Sequence, residues 1–290
     1  MKAYVFPGQG AQFAGMAKSF VEHAEVKRYF ALAEEILGFD ILEVMLNGSD
    51  EDLRQTSITQ PAIFLHSVIS SLIANDFEPS AVAGHSLGEF SSLVAIKAMR
   101  FEDGLKLVSI RAQAMQHACD SNPGTMAAII GMEDAVIENV CKEIEGIVVP
   151  ANYNSPGQLV ISGEHHAIDQ AIMVLKKLGC RNAVKLPVGG AFHSPLMALA
   201  EQELEKGITT TVIDVPFSPV YQNIDALPHS DPDEIKANLL RQLTGPVRWS
   251  QTIQHMIKDG MTEFVEVGGN GKVLSGLIKK IDRKMTVSNI

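Results

Sequence analysis

The sequence contains few cysteines and fewer basic than acidic residues. Its three cysteines, Cys119, Cys141 and Cys180, are widely spaced and form no Cys-x-x-Cys pair. That spacing argues against a disulfide framework and against a structural zinc site. Lysine and arginine number 24 against 34 acidic residues, for a formal net charge of −10. Because nucleic-acid binding relies on basic side chains that neutralise phosphates, we expect no nucleic-acid partner.

The sequence also lacks an apolar run long enough to cross a bilayer. Its first apolar residues run into Pro7-Gly8, too early for the apolar region of a secretory signal. We therefore expect a cytoplasmic protein that does not contact membranes. The 290 residues, 46% of them hydrophobic, suffice for one large domain or two smaller ones with a substantial core.

A Gly-x-Ser-x-Gly motif follows a short apolar run. Ala81-Val82-Ala83 leads into Gly84-His85-Ser86-Leu87-Gly88 and then into an amphipathic pattern, which predicts a strand, a sharp turn and a helix. In such a nucleophile elbow the two glycines let the backbone crowd together, so that the serine hydroxyl projects from the sheet. The alternative is a surface turn, but chance seldom supplies both flanking elements. We interpret Ser86 as a nucleophile.

A serine nucleophile needs a base within hydrogen-bond reach. His193 is the stronger candidate because it follows Gly189-Gly190 and precedes Ser194-Pro195, which favours a helix start. His85 is weaker because neighbouring side chains at a sharp turn point in different directions. No Asp or Glu stands in a context that suits the third member of a triad, so another oxygen acceptor, including a main-chain carbonyl, could orient the base.

Backbone amides are expected to stabilise the oxyanion that forms when a serine attacks a carbonyl. The candidates are the amide of Leu87, next to the nucleophile, and one from the Gly8-Gln9-Gly10 loop after the first predicted strand, Tyr4 to Phe6. From spacing alone, that loop could equally be a plain strand-to-helix turn.

Arg111 falls at the edge of an apolar stripe on the helix predicted from Phe101 to Ala118. One interpretation places its stem along apolar surface and its charged head in water. The other has its guanidinium bind a substrate carboxylate through two hydrogen bonds. Sequence position does not decide between them.

Alternating helical and strand patterns predict an α/β fold. Helical patterns extend over 21–46 and over 60–75, where Gln60-Pro61 suits a helix start. Between residues 123 and 189 the order becomes β-α-β-β-α-β, which is ferredoxin-like. We therefore predict an α/β-hydrolase-like core from residues 1–122 and 190–290, with an inserted ferredoxin-like α+β subdomain at 123–189. A cleft is expected between them, which the predicted turn 152–157 could line.

Five segments resemble the malonyl-CoA:acyl carrier protein transacylases. They are Phe-Pro-Gly-Gln-Gly-Ala-Gln from Phe6, Gly-His-Ser-Leu-Gly-Glu from Gly84, Gly-Ala-Phe-His-Ser from Gly190, Arg-Gln-Leu-Thr-Gly-Pro-Val-Arg-Trp from Arg241 and Glu-Val-Gly-Gly from Glu266. The resemblance covers nearly the whole chain. One departure is Glu-Val-Gly-Gly-Asn-Gly-Lys, where the family commonly has Glu-Val-Gly-Pro-Gly-Lys. It puts the shape of that loop in doubt, but not the chemistry.

The resemblance implies a role for each matching residue. Ser86 would be the nucleophile, His193 the base and Arg111 the partner of the malonyl carboxylate. The oxyanion amides would come from Gln9 and Leu87, and Gln242 would orient His193 through its main-chain carbonyl. We also expect three substrate-binding residues, namely Met115, His85 and Asn154.

The implied reaction moves malonyl from CoA to the serine and then to the phosphopantetheine thiol of acyl carrier protein, in fatty-acid synthesis. It needs no metal or other cofactor, because the CoA thioester is itself the substrate. We expect a monomer whose carrier protein docks on a basic patch. The two candidate patches are Lys176, Lys177, Arg181 and Lys185, and Lys279, Lys280, Arg283 and Lys284.

Two other function classes stay open at this point. A serine esterase or thioesterase shares the elbow, but its histidine usually comes late in the chain, whereas about a third of this chain follows His193. A non-catalytic acyltransferase-like subunit would be expected to lose Ser86 or His193, and both are present.

Overall fold

The computed structural model describes residues 1–290, which form a mixed α/β fold. The strands are β1 (Lys2–Phe6), β2 (Ala81–Gly84), β3 (Thr125–Ile130), β4 (Val148–Ser155), β5 (Gln158–Gly163), β6 (Asn182–Lys185), β7 (Val220–Tyr221), β8 (Pro228–His229), β9 (Glu263–Glu266) and β10 (Thr286–Asn289). The helices are α1 (Val26–Leu37), α2 (Ile41–Asn47), α3 (Thr56–Ile73), α4 (Gly88–Ala95), α5 (Phe101–Ser121), α6 (Asp134–Glu143), α7 (His165–Lys177), α8 (Ala198–Thr210), α9 (Pro232–Arg241), α10 (Trp249–Lys258) and α11 (Val273–Ile281).

The larger sheet has the strand order β10-β9-β1-β2-β7-β8. All neighbours are parallel except β7 and β8. Parallel strands are joined by crossovers that cover both faces of a sheet, so β1 and β2 read as short apolar runs. Their carboxyl ends lie side by side, because Phe6 pairs with Gly84. This register brings the Gln9 loop next to the turn that carries Ser86.

The turn after β2 leaves no room for side chains on its flanking glycines. A Cβ on Gly84 would collide with the backbone of Gly88, and a Cβ on Gly88 would collide with the carbonyl of Phe6. Ser86 between them adopts a left-handed backbone with φ of 54°. The predicted strand, sharp turn and helix are therefore confirmed.

The smaller sheet is antiparallel with the order β4-β5-β3-β6, and its elements follow one another as β-α-β-β-α-β. Alternate strand residues face opposite sides. Ala127, Ile129 and Ile161 join an apolar cluster with α6 and α7. Met126 and Val160 face the other way and join the main core. One face of the small sheet thus packs against its own apolar cluster, and the other face packs against the main core.

Two helical predictions were wrong in their boundaries. The pattern predicted over 21–46 is two helices, because Gly38 ends α1 in a left-handed conformation (φ 78°) and the Asp40 side chain caps α2. Helix α3 begins at Thr56 rather than at Gln60, so Pro61 lies inside the helix. Gln60-Pro61 suits a helix start, but the chain is already helical one turn earlier.

The turn predicted over 152–157 was also wrong in its extent. Strand β4 continues to Ser155 opposite Gln158, which leaves only Pro156 and Gly157 between the strands. The extension is held by the core, because the Tyr153 amide donates to the Val247 carbonyl at 2.9 Å. Asn152 and Asn154 therefore lie on a strand that is attached to the core.

Candidate active site

Ser86 and His193 meet at the carboxyl edge of the larger sheet. Ser86 Oγ lies 2.8 Å from His193 Nε2, and His193 Nδ1 lies 2.8 Å from the main-chain oxygen of Gln242. Because a carbonyl oxygen can only accept a hydrogen bond, Nδ1 carries the proton and Nε2 accepts from the serine hydroxyl. This is the arrangement in which a neutral histidine can remove the serine proton.

His193 is held in its neutral form. It is 4% exposed, and burial lowers its pKa to about 3, with the positive charge of Arg111 acting in the same direction. Its backbone is left-handed (φ 58°), just ahead of the short 3₁₀ turn Pro195–Met197 that Ser194 caps as predicted. A neutral imidazole at physiological pH is ready to act as a base.

Arg111 reaches the same point from α5. It is 1% exposed, so the interpretation in which its head lies in water was wrong. Its Nη2 donates to Ser86 Oγ at 2.9 Å and its Nη1 donates to Gln60 Oε1 at 2.6 Å, while its buried Nε has no hydrogen-bond partner. Burial lowers its pKa to about 10, with Glu89 opposing, so it remains charged at neutral pH.

Two backbone amides next to the nucleophile are free. Gln9 and Leu87 both line the cleft that contains Ser86. Neither of their N–H groups donates a hydrogen bond within the protein. Both N–H groups are thus available to a ligand in the cleft, as oxyanion donors must be. The Gly8-Gln9-Gly10 spacing alone did not separate this role from a plain turn.

The cleft lies between the large core and the small sheet and encloses about 180 Å³. The three substrate-binding candidates Met115, His85 and Asn154 all line it. His85 Nε2 and Asn154 Oδ1 are 2.9 Å apart, which joins the elbow to β4 across the cleft. Burial lowers the pKa of His85. No hydrogen bond links the His85 ring to Ser86 Oγ, whereas one links His193 to it.

Comparison with known proteins identifies the family to which this site belongs. The acyl transferase domain family matches residues 3–290. The malonyl CoA-acyl carrier protein transacylase of Staphylococcus aureus strain MW2 is 39% identical over 292 residues, which is 99% of this chain and 94% of that protein. The chain belongs to the malonyl-CoA:acyl carrier protein transacylase family.

Solved structures of similar proteins agree with this assignment. An acyl carrier protein S-malonyltransferase from Vibrio cholerae is 40% identical with a TM-score of 0.95, over 100% of this chain and 96% of that one. A malonyl-transacylase in complex with a type II PKS acyl-carrier protein is 36% identical with a TM-score of 0.94, over 100% of this chain and 95% of that one.

Sequence reasoning missed several buried polar residues of the site. Gln60, which bonds to Arg111, was interpreted only as part of a helix start. Asn223 accepts from the Ser86 amide at 2.7 Å, and Glu89, 0% exposed, lies directly behind it. The sequence signal that could have found them is a polar residue within an otherwise apolar stretch, such as Gln60 in α3. That signal does not indicate which residue its hydrogen-bond partner is.

The two predicted basic patches lie in different surroundings. Lys280 lines a cavity of about 360 Å³ that shares Gln9, His85 and Asn154 with the cleft, and it donates to Gln158 at 2.9 Å. In the other patch, Lys185 is paired with Asp169 at 2.6 Å. The patch of Lys279, Lys280, Arg283 and Lys284 thus has a member that lines a cavity sharing residues with the cleft.

Three kinds of feature are absent from the structure. No group of three His, Cys, Asp or Glu side chains is close enough to hold a metal ion. The three cysteines are buried and form no disulfide. None of the helices combines the length and hydropathy that a bilayer span requires.

Proposed function

We propose that this enzyme transfers the malonyl group from malonyl-CoA to the phosphopantetheine thiol of an acyl carrier protein through a malonyl ester on Ser86. The observation that carries the proposal is the convergence of two groups on one oxygen. Ser86 Oγ is 2.8 Å from His193 Nε2 and 2.9 Å from Arg111 Nη2. A base and a guanidinium at the same nucleophile suit an acyl group that carries a carboxylate.

In the first half-reaction Ser86 Oγ attacks the thioester carbonyl while its proton passes to His193 Nε2. The C–O bond forms, and the C–S bond then breaks with the proton passing to the CoA sulfur. The amides of Gln9 and Leu87 donate to the oxyanion, and the main-chain oxygen of Gln242 stabilises the imidazolium through Nδ1–H. In the second half-reaction the carrier thiol gives its proton to His193 and its sulfur forms the new C–S bond. The C–O bond to Ser86 then breaks, and His193 returns the proton to Ser86 Oγ.

Arg111 selects the substrate by its charge. It is fixed by Gln60 through Nη1, and its buried Nε has no partner in the protein. A malonyl carboxylate that accepts from the guanidinium, whose Nη2 lies 2.9 Å from Ser86 Oγ, is held with its thioester carbonyl beside that oxygen. An acetyl or longer uncharged group gives the buried charge no partner.

The carrier protein docks on the patch that contains Lys280. This patch borders the cavity shared with the site, so a phosphopantetheine arm that enters there has a direct path to Ser86. Carrier proteins of this kind are acidic and so is this chain, so a local basic patch must overcome general repulsion.

We also infer how the chain divides into a core and an inserted subdomain. Residues 1–122 and 190–290 form an α/β-hydrolase-like core, and 123–189 form an inserted ferredoxin-like subdomain. The strand order β4-β5-β3-β6 and the elbow after β2 support this description. The enzyme works as a monomer in the cytoplasm. It uses no metal or cofactor, since the reaction needs only acid–base chemistry.

A labelling experiment tests the function. The enzyme is incubated with malonyl-CoA that carries radiolabel in the malonyl group, and Ser86→Ala is the matched control. Label on Ser86 that is stable in water and is discharged by carrier protein is the expected result. Loss of label to water at a similar rate indicates a hydrolase, and no label at all indicates a binding protein.

A further inference from the structure

The turn that carries Ser86 needs support from outside itself. Ser86 has a φ of 54°, where a side chain crowds the backbone, and such a conformation persists only if its surroundings fix it. Hydrogen bonds from Gly88 N to His85 O and from Glu89 N to Ser86 O close the turn on its helical side. The Ser86 N–H and the Gly84 carbonyl are bound instead by one residue from a distant segment of the chain.

That residue is Asn223, two positions after β7. Its Oδ1 accepts from the Ser86 N–H at 2.7 Å and its Nδ2 donates to the Gly84 carbonyl at 2.6 Å. Asn223 is 0% exposed. One planar amide therefore joins both sides of the turn. Strand β7 can deliver it because β7 pairs in parallel with β2, which leads into the turn.

Asn223 is in turn held by Glu89. The Asn223 main-chain N–H donates to Glu89 Oε1, and Gln222 Nε2 lies 3.5 Å from Glu89 Oε2. Glu89 is 0% exposed and belongs to the first turn of α4. The bonds close a ring that runs from Ser86 through α4 to Glu89, on to Asn223 and back to Ser86.

We propose that Asn223 is a positioning residue that holds Ser86 Oγ within hydrogen-bond distance of His193, and that Glu89 fixes Asn223 for this purpose. The inference rests on the proposed function only in taking Ser86 as the nucleophile. Neither residue lines the cleft. Their loss therefore lowers the rate of attack by Ser86 without weakening the binding of malonyl-CoA.

The first test is Asn223→Ala. Because misplacing reacting atoms by about 1 Å can cost about 10²-fold in rate, kcat should fall about 10²-fold while KM for malonyl-CoA stays unchanged. Labelling of Ser86 by a fluorophosphonate should slow by a similar factor. This reagent reports the reactivity of the serine without malonyl or carrier protein, so its result stands even if the proposed acyl transfer fails.

The second variant is Asn223→Asp, which keeps the shape of the side chain. Its carboxyl can donate to the Gly84 carbonyl only when protonated. Its labelling rate, relative to the wild type, should therefore rise as the pH is lowered from about 8 to about 5. The charged or titrating groups around it are Glu89 on α4, Arg111 on α5 and His193, and the wild-type profile corrects for their titration.

Asn238→Ala is the matched control. Asn238 is another buried amide, but it donates to Gln222 Oε1 at 3.1 Å and does not touch the turn. Its loss should lower Tm and leave kcat unchanged. The proposal is overturned if Asn223→Ala keeps the wild-type labelling rate, or if its KM rises at constant kcat. A pH ratio for Asn223→Asp that does not change would overturn it as well, and this second variant decides if the first does not fold.

Discussion

The core and the inserted unit bury different kinds of side chain. Beneath the nucleophile the core encloses Arg111, Glu89 and Asn223, each no more than 1% exposed. Between the small sheet and its two helices lies an apolar cluster, with Ile129 and Ile161 as examples at 0% exposure. Both regions come from one chain and share the cleft, yet their interiors are held together in different ways.

The difference shows where specific positions are needed. A buried polar group is costly unless it has a partner, so each one in the core fixes the place of another. Buried hydrocarbon is less demanding, because apolar residues of similar volume can replace one another at small cost. The core therefore positions the reacting groups. The inserted unit forms one side of the cleft, and its interior needs only apolar side chains of suitable volume.

The largest expected effect is on the core side. His193→Ala removes the base, so kcat should fall by about 10²–10⁴-fold. The malonyl ester on Ser86 should form correspondingly slowly in rapid-quench measurements. Thermal unfolding should show a folded protein, because the removed side chain bonds only to Ser86 and to a main-chain oxygen. A loss of less than about tenfold would contradict the role of His193.

Arg111→Ala should change the choice of substrate rather than all acyl transfer. Hydrogen bonds to charged groups contribute about 1.5–3 kcal/mol, which corresponds to a loss of about 10–150-fold in kcat/KM for malonyl-CoA. Acetyl-CoA should become the better substrate in a competition assay. Arg111→Lys keeps the charge but cannot donate two parallel hydrogen bonds to a carboxylate. Its kcat/KM for malonyl-CoA should therefore lie between those of the wild type and of Arg111→Ala. Malonyl preference that survives in Arg111→Ala would show that another residue selects the carboxylate.

Substitutions in the inserted unit should affect stability and not chemistry. Ile161→Ala should lower the free energy of unfolding by about 2–5 kcal/mol, because it leaves a cavity in a closed apolar cluster. The kcat of the folded protein should stay unchanged. Ile130→Ala, at a position 42% exposed, is the control and should change stability little. A fall in kcat for Ile161→Ala at temperatures where it is folded would show that the interior of the inserted unit also affects the chemistry.

The smallest expected effect is the pH dependence of stability, which comes from the core. Burial lowers the pKa of His66 to about 4 and that of His193 to about 3, and it raises that of Glu89 to about 8. Below about pH 6.5 these histidines are protonated in the unfolded chain but stay neutral in the folded protein. The free energy of unfolding therefore decreases as the pH is lowered. Between about pH 6.5 and 8 the folded state holds the Glu89 proton, so stability falls as the pH rises.

The Tm should therefore have a maximum near about pH 6.5, measured by calorimetry from about pH 4 to 9. His66→Gln keeps an acceptor for the Gly269 amide and should flatten the acid side of the curve without changing kcat. A curve for His66→Gln as steep as that of the wild type would assign the acid sensitivity to other groups.

Much of the fold was predictable where local pattern decides it. The strand before Ser86 and the helix after it have apolar runs and glycines in the right places, and the β-α-β-β-α-β order between 123 and 189 was found from periodicity. The single helix predicted over 21–46 was wrong, because Gly38 and Asp40 separate α1 from α2. The start predicted for α3 was wrong, because Gln60-Pro61 suits a helix start although the chain is already helical from Thr56. Strand β4 was predicted too short, since Val247 from the core extends it.

The sequence by itself indicated the elbow, because the Gly84, Ser86 and Gly88 spacing lies between an apolar run and an amphipathic pattern. It also supplied His193 as a candidate base through the resemblance and the helix start that follows it. Only the tertiary structure decided that Arg111 is buried, because its partners Gln60 and Gln242 come from distant segments of the chain. Asn223 lies 137 positions from Ser86, and no local pattern encodes a hydrogen bond across such a distance. The pairing of β2 with β7 creates it.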